Sequence, residues 1–508
     1  MADITITKKN ETSLYIDCDM GILHELKEKF TFMVEGAKYT PKFKMKLWDG
    51  QISLLDLRFG TLPCGLINEL ISYATDLGYT TEVQESDRYG FPNFKEDVII
   101  SEVENFVKSL NICLNNQPVP VVVRDYQIQS IFNCIKNQRQ ISITPTAGGK
   151  SLIIYCVYRW YLAHGIKTFM LVVPNLSLLR QMKSDFIEYS SHNGFDVEGN
   201  CQLIAEGETK VITKSLCLAT WQSIYKQPSK WFNDKVDVIL GDEIHQYKAE
   251  SIKGIFEKAT DVKYRFGVTG SLDKSATNKM VLKGLIGEIS KVKSTRDLID
   301  DGYLSDLKII CPVLEYSKAT STLMKKADYH AEMDFLCQHA KRNKFIRNLA
   351  LAQKGNTLVL FTYVEKHGKP LFDLIKEKAT TQEVHLVCGE VEADDRETIR
   401  KFVQSSDHNI ILGSVGTFST GVNLPRLHNI IFASPTKSVI RVMQSLGRGL
   451  RKAEDKTHLN LFDIADKIWQ TKSKANHTMS HFAERLRIYT EENHDYQIIK
   501  IQLEPQND

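Results

Sequence analysis

The stretch Ile141-Ser142-Ile143-Thr144-Pro145-Thr146-Ala147-Gly148-Gly149-Lys150-Ser151 decides the architecture. Its first three residues form a short apolar run, the pattern of a strand buried on both faces. A loop with two glycines follows, then Lys-Ser, then the apolar, helix-length segment Ser151–Ala163. This is the order in which backbone N–H groups wrap round phosphate oxygens, with the positive end of a helix beneath them. Thr146, Ala147, Gly148, Gly149, Lys150 and Ser151 are therefore expected to cradle a nucleoside triphosphate. Lys150 would reach the β- and γ-phosphates, and the Ser151 hydroxyl would bind Mg²⁺. The general pattern asks for glycine at position 144, where this chain has threonine.

Downstream, the apolar run Val236–Leu240 is followed at once by Gly241-Asp242-Glu243-Ile244-His245. Carboxylates at the carboxyl end of a parallel strand sit at the rim where ligands bind. Asp242 is expected to hold Mg²⁺ through its water shell. Glu243, beside the metal, would orient and deprotonate the attacking water. An Asp-Glu pair alone is more often a solvated turn, and the phosphate cradle upstream argues against that here.

Around these sites, short apolar strands alternate with helix-length segments. Strands are expected at Ile141–Ile143, Thr168–Val173, Ser215–Ala219, Val236–Leu240 and Phe266–Val268. The texture recurs at Thr357–Phe361, Val384–Val387, Ile410–Leu412, Ile430–Ala433 and Leu459–Phe462. Such alternation predicts two successive parallel sheets covered by helices. Residues 1–100 instead alternate short strand-like runs with turn signals and form a separate domain, the boundary falling between Pro92 and Pro120. The join between the two α/β units is expected between Gly302 and Ser317. Phe482, Leu486 and Tyr489 predict a docked helix in the tail.

The chain has 508 residues, 42% hydrophobic and 25% charged, enough for three or four ordinary domains at ~150 residues each. A formal net charge of +3 excludes a diffuse basic field, so any nucleic-acid contact must be a local patch. The ten cysteines include no Cys-x-x-Cys pair, which argues against a zinc knuckle or redox dithiol and for a reducing, intracellular setting. The N-terminus shows no secretory pattern, and runs such as Leu152 to Tyr158 are too short to span a bilayer.

Asp-Glu-x-His after such a loop resembles the superfamily 2 helicases and translocases, and the remaining motifs follow in order. Arg124-Asp125-Tyr126-Gln127 is similar to the adenine-reading element, with Gln127 on the base edge and Arg124 or Tyr126 packed nearby. Pro174 through Gln181 and Thr220-Trp221-Gln222 resemble the strand-contacting motifs. Thr269-Gly270-Ser271, with His245, looks like the element coupling hydrolysis to lobe motion. Thr420-Gly421-Val422-Asn423 resembles the fifth motif, and Gln444 to Arg451 the sixth. Arg448 and Arg451, three apart, share a helix face and suit a permanent charge on the phosphoryl transition state. The resemblance covers roughly residues 120–465. It implies two tandem RecA-like lobes, an α/β fold with parallel sheets flanked by helices, behind a small α+β N-terminal domain. The parts would be residues 1–100, a first lobe at 101–310, a second at 311–465 and a helical tail at 466–508. It also implies ATP and Mg²⁺ as cofactors.

Lys42, Lys44 and Lys46 alternate with Phe43, Met45 and Leu47 before Trp48-Asp49-Gly50. In a strand the lysines would form one cationic face for a DNA backbone, and the apolar residues would pack inward. A solvated sheet edge is the competing reading. Trp-Asp-Gly is also similar to the leading domain of a phage branch of these helicases that acts in recombination and replication repair. That likeness favours DNA, and implies branched, duplex and single-stranded DNA as partners, with RNA–DNA hybrids and other recombination proteins as further ones. The cluster Lys341-Arg342-Asn343-Lys344 with Arg347 reads as a solvated helix face. Glu25-Leu26-Lys27 sits in a helical pattern and does not make a nuclease site. An ATP-switched nucleic-acid clamp and an RNA helicase remain alternatives at this stage.

Overall fold

The computed structural model describes residues 2–504 apart from 35, 115–117, 146–147, 247–248, 271–275, 389–405, 407, 420–425, 435–457 and 472–473, and the backbone alone at 246, 249–252, 276 and 418–419. The chain divides into two compact units, Met1–Thr144 with Gly148–Val292, and Lys293–Asp508.

In the first unit a parallel sheet runs in the order Glu288–Lys291, Arg139–Ile143, Tyr264–Thr269, Val238–Asp242, Phe169–Val173, Leu216–Thr220, Cys201–Ile204. The central strands read as unbroken apolar runs because both faces are covered. Phe169, Leu171 and Val173 face one core with Leu216 and Leu218. Met170 and Val172 face the other with Cys217 and Ala219. Helices Asp125–Asn137, Lys150–Ala163 and Leu176–Tyr189 cover the first face.

The N-terminal domain carries its own sheet, in the order Thr61–Pro63, Ser13–Cys18, Ile4–Lys8, Thr81–Val83, backed by helices Met20–Lys29 and Ile67–Asp76. It is bolted to the large sheet through the backbone of Glu11. The Glu11 N–H donates to the Thr260 carbonyl at 2.8 Å, and its carbonyl accepts from Arg265 Nη1 at 2.8 Å and Arg139 Nη2 at 3.1 Å. Arg265 is fully buried, and that burial, with the Arg139 charge opposite it, pushes its pKa down to about 9.

The second unit holds another parallel sheet, Glu383–Val387, Asn409–Ser414, Thr357–Phe361, Asn429–Phe432, His458–Asp463, Asp306–Glu315. Asp306–Glu315 also pairs with Ala465–Lys467 and with Tyr496–Gln502. Two expected boundaries need correction. The boundary at 310/311 cuts the strand Asp306–Glu315, whose pairing with His458–Asp463 starts at Asp306. The tail is not only helical: after helix His477–Glu491, the strand Tyr496–Gln502 joins the sheet.

The cluster at 341–347 is not a solvated face throughout. Arg342 is buried, with Nε 2.8 Å from Asp466 Oδ1 and Nη2 2.9 Å from Oδ2, and Tyr316 donates to the same carboxylate at 2.7 Å. Asn343 is buried too. A second such fork, Arg485 on Asp463, anchors the tail helix. Among the described residues, no helix is long and apolar enough to cross a membrane.

Candidate nucleotide site and nucleic-acid interface

The described motif residues of the first sheet gather at the carboxyl ends of its strands. Register places Thr269 opposite Ile143, Asp242 opposite Val268 and Thr220 opposite Val173. The Thr144 N–H donates to the Thr269 carbonyl at 2.9 Å, tying the start of the glycine loop to the neighbouring strand end.

Gly149 caps helix Lys150–Ala163 with φ 83°, and a Cβ there would collide with the Gln127 amide. Only glycine meets both demands. Gln127 is buried; its Nε2 donates to the Gly148 carbonyl at 3.0 Å, and its Oε1 accepts from the Arg124 N–H at 3.0 Å. Tyr126 donates its hydroxyl to the same carbonyl at 2.9 Å and accepts from Arg124 Nη1 at 3.2 Å. The residues expected to read a base thus brace the backbone of the cradle in this structure.

Lys150 reaches across to the strand Val238–Asp242, with Nζ 2.8 Å from Glu243 Oε1. The other oxygen, Oε2, lies 3.3 Å from His245 Nδ1 and 3.5 Å from the Gly270 N–H. His245 Nδ1 is also 2.6 Å from Thr269 Oγ1. A chain of contacts therefore runs from Lys150 through Glu243 and His245 to Thr269. Glu243 adopts φ 47°, a left-handed backbone costing a non-glycine residue about 1–2 kcal/mol. Such strain persists where surrounding contacts hold it and is concentrated at functional sites. Burial opposes ionisation of Glu243, but the Lys150 ammonium, with help from His245, holds its pKa below the usual carboxylate value. Asp242 is buried with one oxygen accepting from the Glu243 N–H at 2.9 Å. Burial first, and the Glu243 charge second, push it up to about 7.

The donor set suits a hard divalent cation: a serine hydroxyl and two carboxylates, all oxygen ligands. Burial and the Glu243 charge disfavour the ionised form of Asp242, and an adjacent cation would favour it. The Ser151 hydroxyl bonds at 2.7 Å to Tyr189 OH, a contact that the sequence did not announce. Thr146, Ala147, Ser271, Thr420, Gly421, Gln444, Arg448 and Arg451 lie outside the described residues.

At the same rim, Pro174 follows the strand Phe169–Val173, and its carbonyl accepts from Gln222 Nε2 at 3.3 Å. Thr220 Oγ1 is 2.9 Å from Ser223 Oγ, Trp221 packs edge-on against Tyr225, and Gln181 is exposed.

The N-terminal lysines stand differently from the expectation. Lys42 and Lys44 lie on a short helix, Pro41–Lys44, rather than on a strand, and Lys46 follows at φ 55°. Thr40 caps that helix and Pro41 occupies its first position, a helix-start signal that the lysine alternation masked. All three lysines are exposed, but Met45 and Leu47 are exposed as well, at 66% and 73%, and do not pack inward. Strands Thr31–Met33 and Gln51–Ser53 frame this insert. Trp48 Nε1 donates to the Gln51 carbonyl at 2.7 Å, and Gly50, at φ 82°, has no room for a Cβ beside Met33, Ala37 and Phe43.

Comparison with known proteins agrees with this layout. Residues 3–84 match the family described as DNA helicase UvsW, N-terminal; residues 120–274 match the res subunit of type III restriction enzymes; and residues 340–453 match the helicase conserved C-terminal domain. The ATP-dependent DNA helicase uvsW of Enterobacteria phage T4 is 31% identical over 506 residues, covering 97% of this chain and 98% of the relative. The DNA 3'-5' translocase XPB2 of Sulfurisphaera tokodaii is 23% identical over 78% of this chain and 94% of its own. The crystal structure of T4 UvsW superposes with a TM-score of 0.53 at 28% identity, over 99% of this chain and 100% of that one. With 31% identity to the phage T4 helicase over 97% of this chain, and a crystal structure of that relative that superposes along nearly all of it, the chain belongs to the UvsW family of ATP-dependent DNA helicases.

Proposed function

We propose that this helicase remodels branched DNA, taking Holliday junctions, stalled forks and D- or R-loops as substrates in recombination, repair and replication. The observation that carries the reading is the single sheet edge holding Lys150, Glu243, His245 and Thr269 beside Pro174 and Thr220. ATP chemistry and strand contact then share one set of strand ends.

In this reading the N–H groups of the glycine loop and Lys150 bind the phosphates, and Gln127 with Tyr126 keeps the loop in shape. Ser151, Asp242 and Glu243 would hold Mg²⁺, which supplies charge neutralisation at the phosphates. Before nucleotide arrives, Lys150 occupies one oxygen of Glu243. The γ-phosphate draws Lys150 away, freeing that oxygen to orient the attacking water and take its proton. Arg448 and Arg451, with Gln444, stabilise the transition-state charge. His245 and Thr269-Gly270-Ser271 relay the change at Glu243 to the strand-contact motifs, which include Thr420 and Gly421. Lys42, Lys44 and Lys46, with Trp48, grip duplex phosphates beside the motor. We assign the first lobe to residues 101–292 and the second, with the tail helix and strand, to 293–502.

ATPase stimulation compared across single-stranded, duplex, forked and four-way DNA, RNA–DNA hybrid and RNA tests the substrate class. Strongest stimulation by the branched DNAs supports the reading; strongest stimulation by RNA overturns it.

A further inference from the structure

Ser151 is the second residue of helix Lys150–Ala163, and its hydroxyl meets Tyr189, the last residue of helix Leu176–Tyr189. That second helix begins at Asn175-Leu176, in the first strand-contacting motif. Tyr189 is held on several sides. Its ring packs against Tyr155 with centroids 5.5 Å apart and against Phe186 at 6.5 Å. Its carbonyl accepts from the Cys113 N–H and from Asn193 Nδ2, each at 3.4 Å. The neighbouring Ser190 bonds Tyr155 OH at 2.6 Å, and Arg159 Nη1 donates to that same hydroxyl at 2.6 Å. A buried ring braced in this way presents its oxygen to Ser151 at a fixed place.

A serine hydroxyl carries one proton and two lone pairs, and its proton rotates to suit its neighbours. A cation can take a lone pair only when the proton points elsewhere. We propose that Tyr189 is a positioning residue whose hydroxyl oxygen accepts a hydrogen bond from the Ser151 O–H and thereby turns a lone pair of Ser151 towards the metal. A cation on that lone pair makes the Ser151 O–H a better donor, so the two contacts strengthen each other. The role rests on the reading of Ser151 as a metal ligand.

Tyr189→Phe removes the oxygen and keeps the ring that packs on Tyr155 and Phe186. The test is equilibrium binding of fluorescent ADP to the full chain, first in EDTA and then across a Mg²⁺ series. The ratio of the two affinities is the factor by which the metal tightens the nucleotide. One hydrogen bond of about 1 kcal/mol corresponds to a roughly fivefold change in that factor. Tyr189→Phe should lower the metal factor about fivefold while keeping the affinity in EDTA. Ser151→Ala should lower it further, and adding Tyr189→Phe to Ser151→Ala should then change nothing. An unaltered metal factor in Tyr189→Phe, beside a lowered one in Ser151→Ala, overturns the role of Tyr189 alone. Equal weakening of Tyr189→Phe with and without Mg²⁺ also overturns it, since loss of packing moves both affinities together. A full metal factor in Ser151→Ala removes Ser151 from the metal site, and Tyr189 with it.

Discussion

Replacing Glu243 by glutamine separates two roles that one carboxylate combines. In the structure its Oε1 is 2.8 Å from Lys150 Nζ, with the two side chains 11% and 15% exposed. Its Oε2 faces His245 and the Gly270 N–H. Glutamine keeps the volume and removes the charge. Lys150 then no longer has to leave the carboxylate it contacts when phosphate arrives. A hydrogen bond between charged partners contributes about 1.5–3 kcal/mol. Recovering part of it, roughly 1–2 kcal/mol, would tighten ATP about 5- to 30-fold. Turnover should move the other way, because loss of a general base costs about 10²–10⁴-fold. Equilibrium ATP binding and single-turnover hydrolysis, measured on the same preparation, give both numbers. Hydrolysis at the unmutated rate would refute the water-activating role. Binding weakened in step with hydrolysis would refute the claim that Glu243 competes for Lys150.

Three further outcomes are expected. Changing Lys42, Lys44 and Lys46 together to alanine should flatten log affinity against log salt for duplex DNA by about 2–3 units, at roughly 0.9 per phosphate contact; an unchanged slope leaves these residues as a solvated surface. Asp466→Ala strands a buried Arg342 and should destabilise the second unit by about 3–5 kcal/mol, whereas Arg342→Met with Asp466→Leu should recover most of the loss. Urea unfolding measures both, and a cost under ~1 kcal/mol for Asp466→Ala contradicts the account. His367 is buried between Ser434 and Asn343, and burial, with the Arg342 charge, lowers its pKa from 6.5 to about 3. The unfolded chain therefore binds a proton that the folded chain refuses between those values, so stability is full above pH 6.5 and is lost as pH falls. The loss by pH 5 is about 2 kcal/mol, and His367→Gln should remove that part of the slope.

The sheets were legible in the sequence where strands are buried on both faces. Thr357–Phe361 has the expected bounds, and the strand expected at Val236–Leu240 runs from Val238 to Asp242, buried throughout. Strands that lie at edges or carry mixed surfaces left no such run. Cys201–Ile204 and Glu288–Lys291 are half-buried with polar residues interleaved. Tyr496–Gln502 is mostly exposed and joins its sheet by backbone pairing with Ile309–Glu315, which composition does not encode. The lysine insert was misread because period-two alternation outweighed the Thr40-Pro41 start signal. Lys150, Glu243 and His245 were readable from local motifs, and the structure brings them into contact. Tyr189 beside Ser151 and Asp466 beside Arg342 were not, since each pairing is made by tertiary packing between distant segments. Buried charges such as Arg342 look like surface charges until their partner is known.

Conversion of a synthetic four-way DNA junction to duplex products tests the central claim most directly, with the unmodified chain and Glu243→Gln compared in ATP and Mg²⁺. The account predicts product from the unmodified chain only with hydrolysable ATP, and none above background from Glu243→Gln although it binds ATP and DNA. Equal conversion by Glu243→Gln, or no conversion by an unmodified chain that hydrolyses ATP on the same junction, would contradict it.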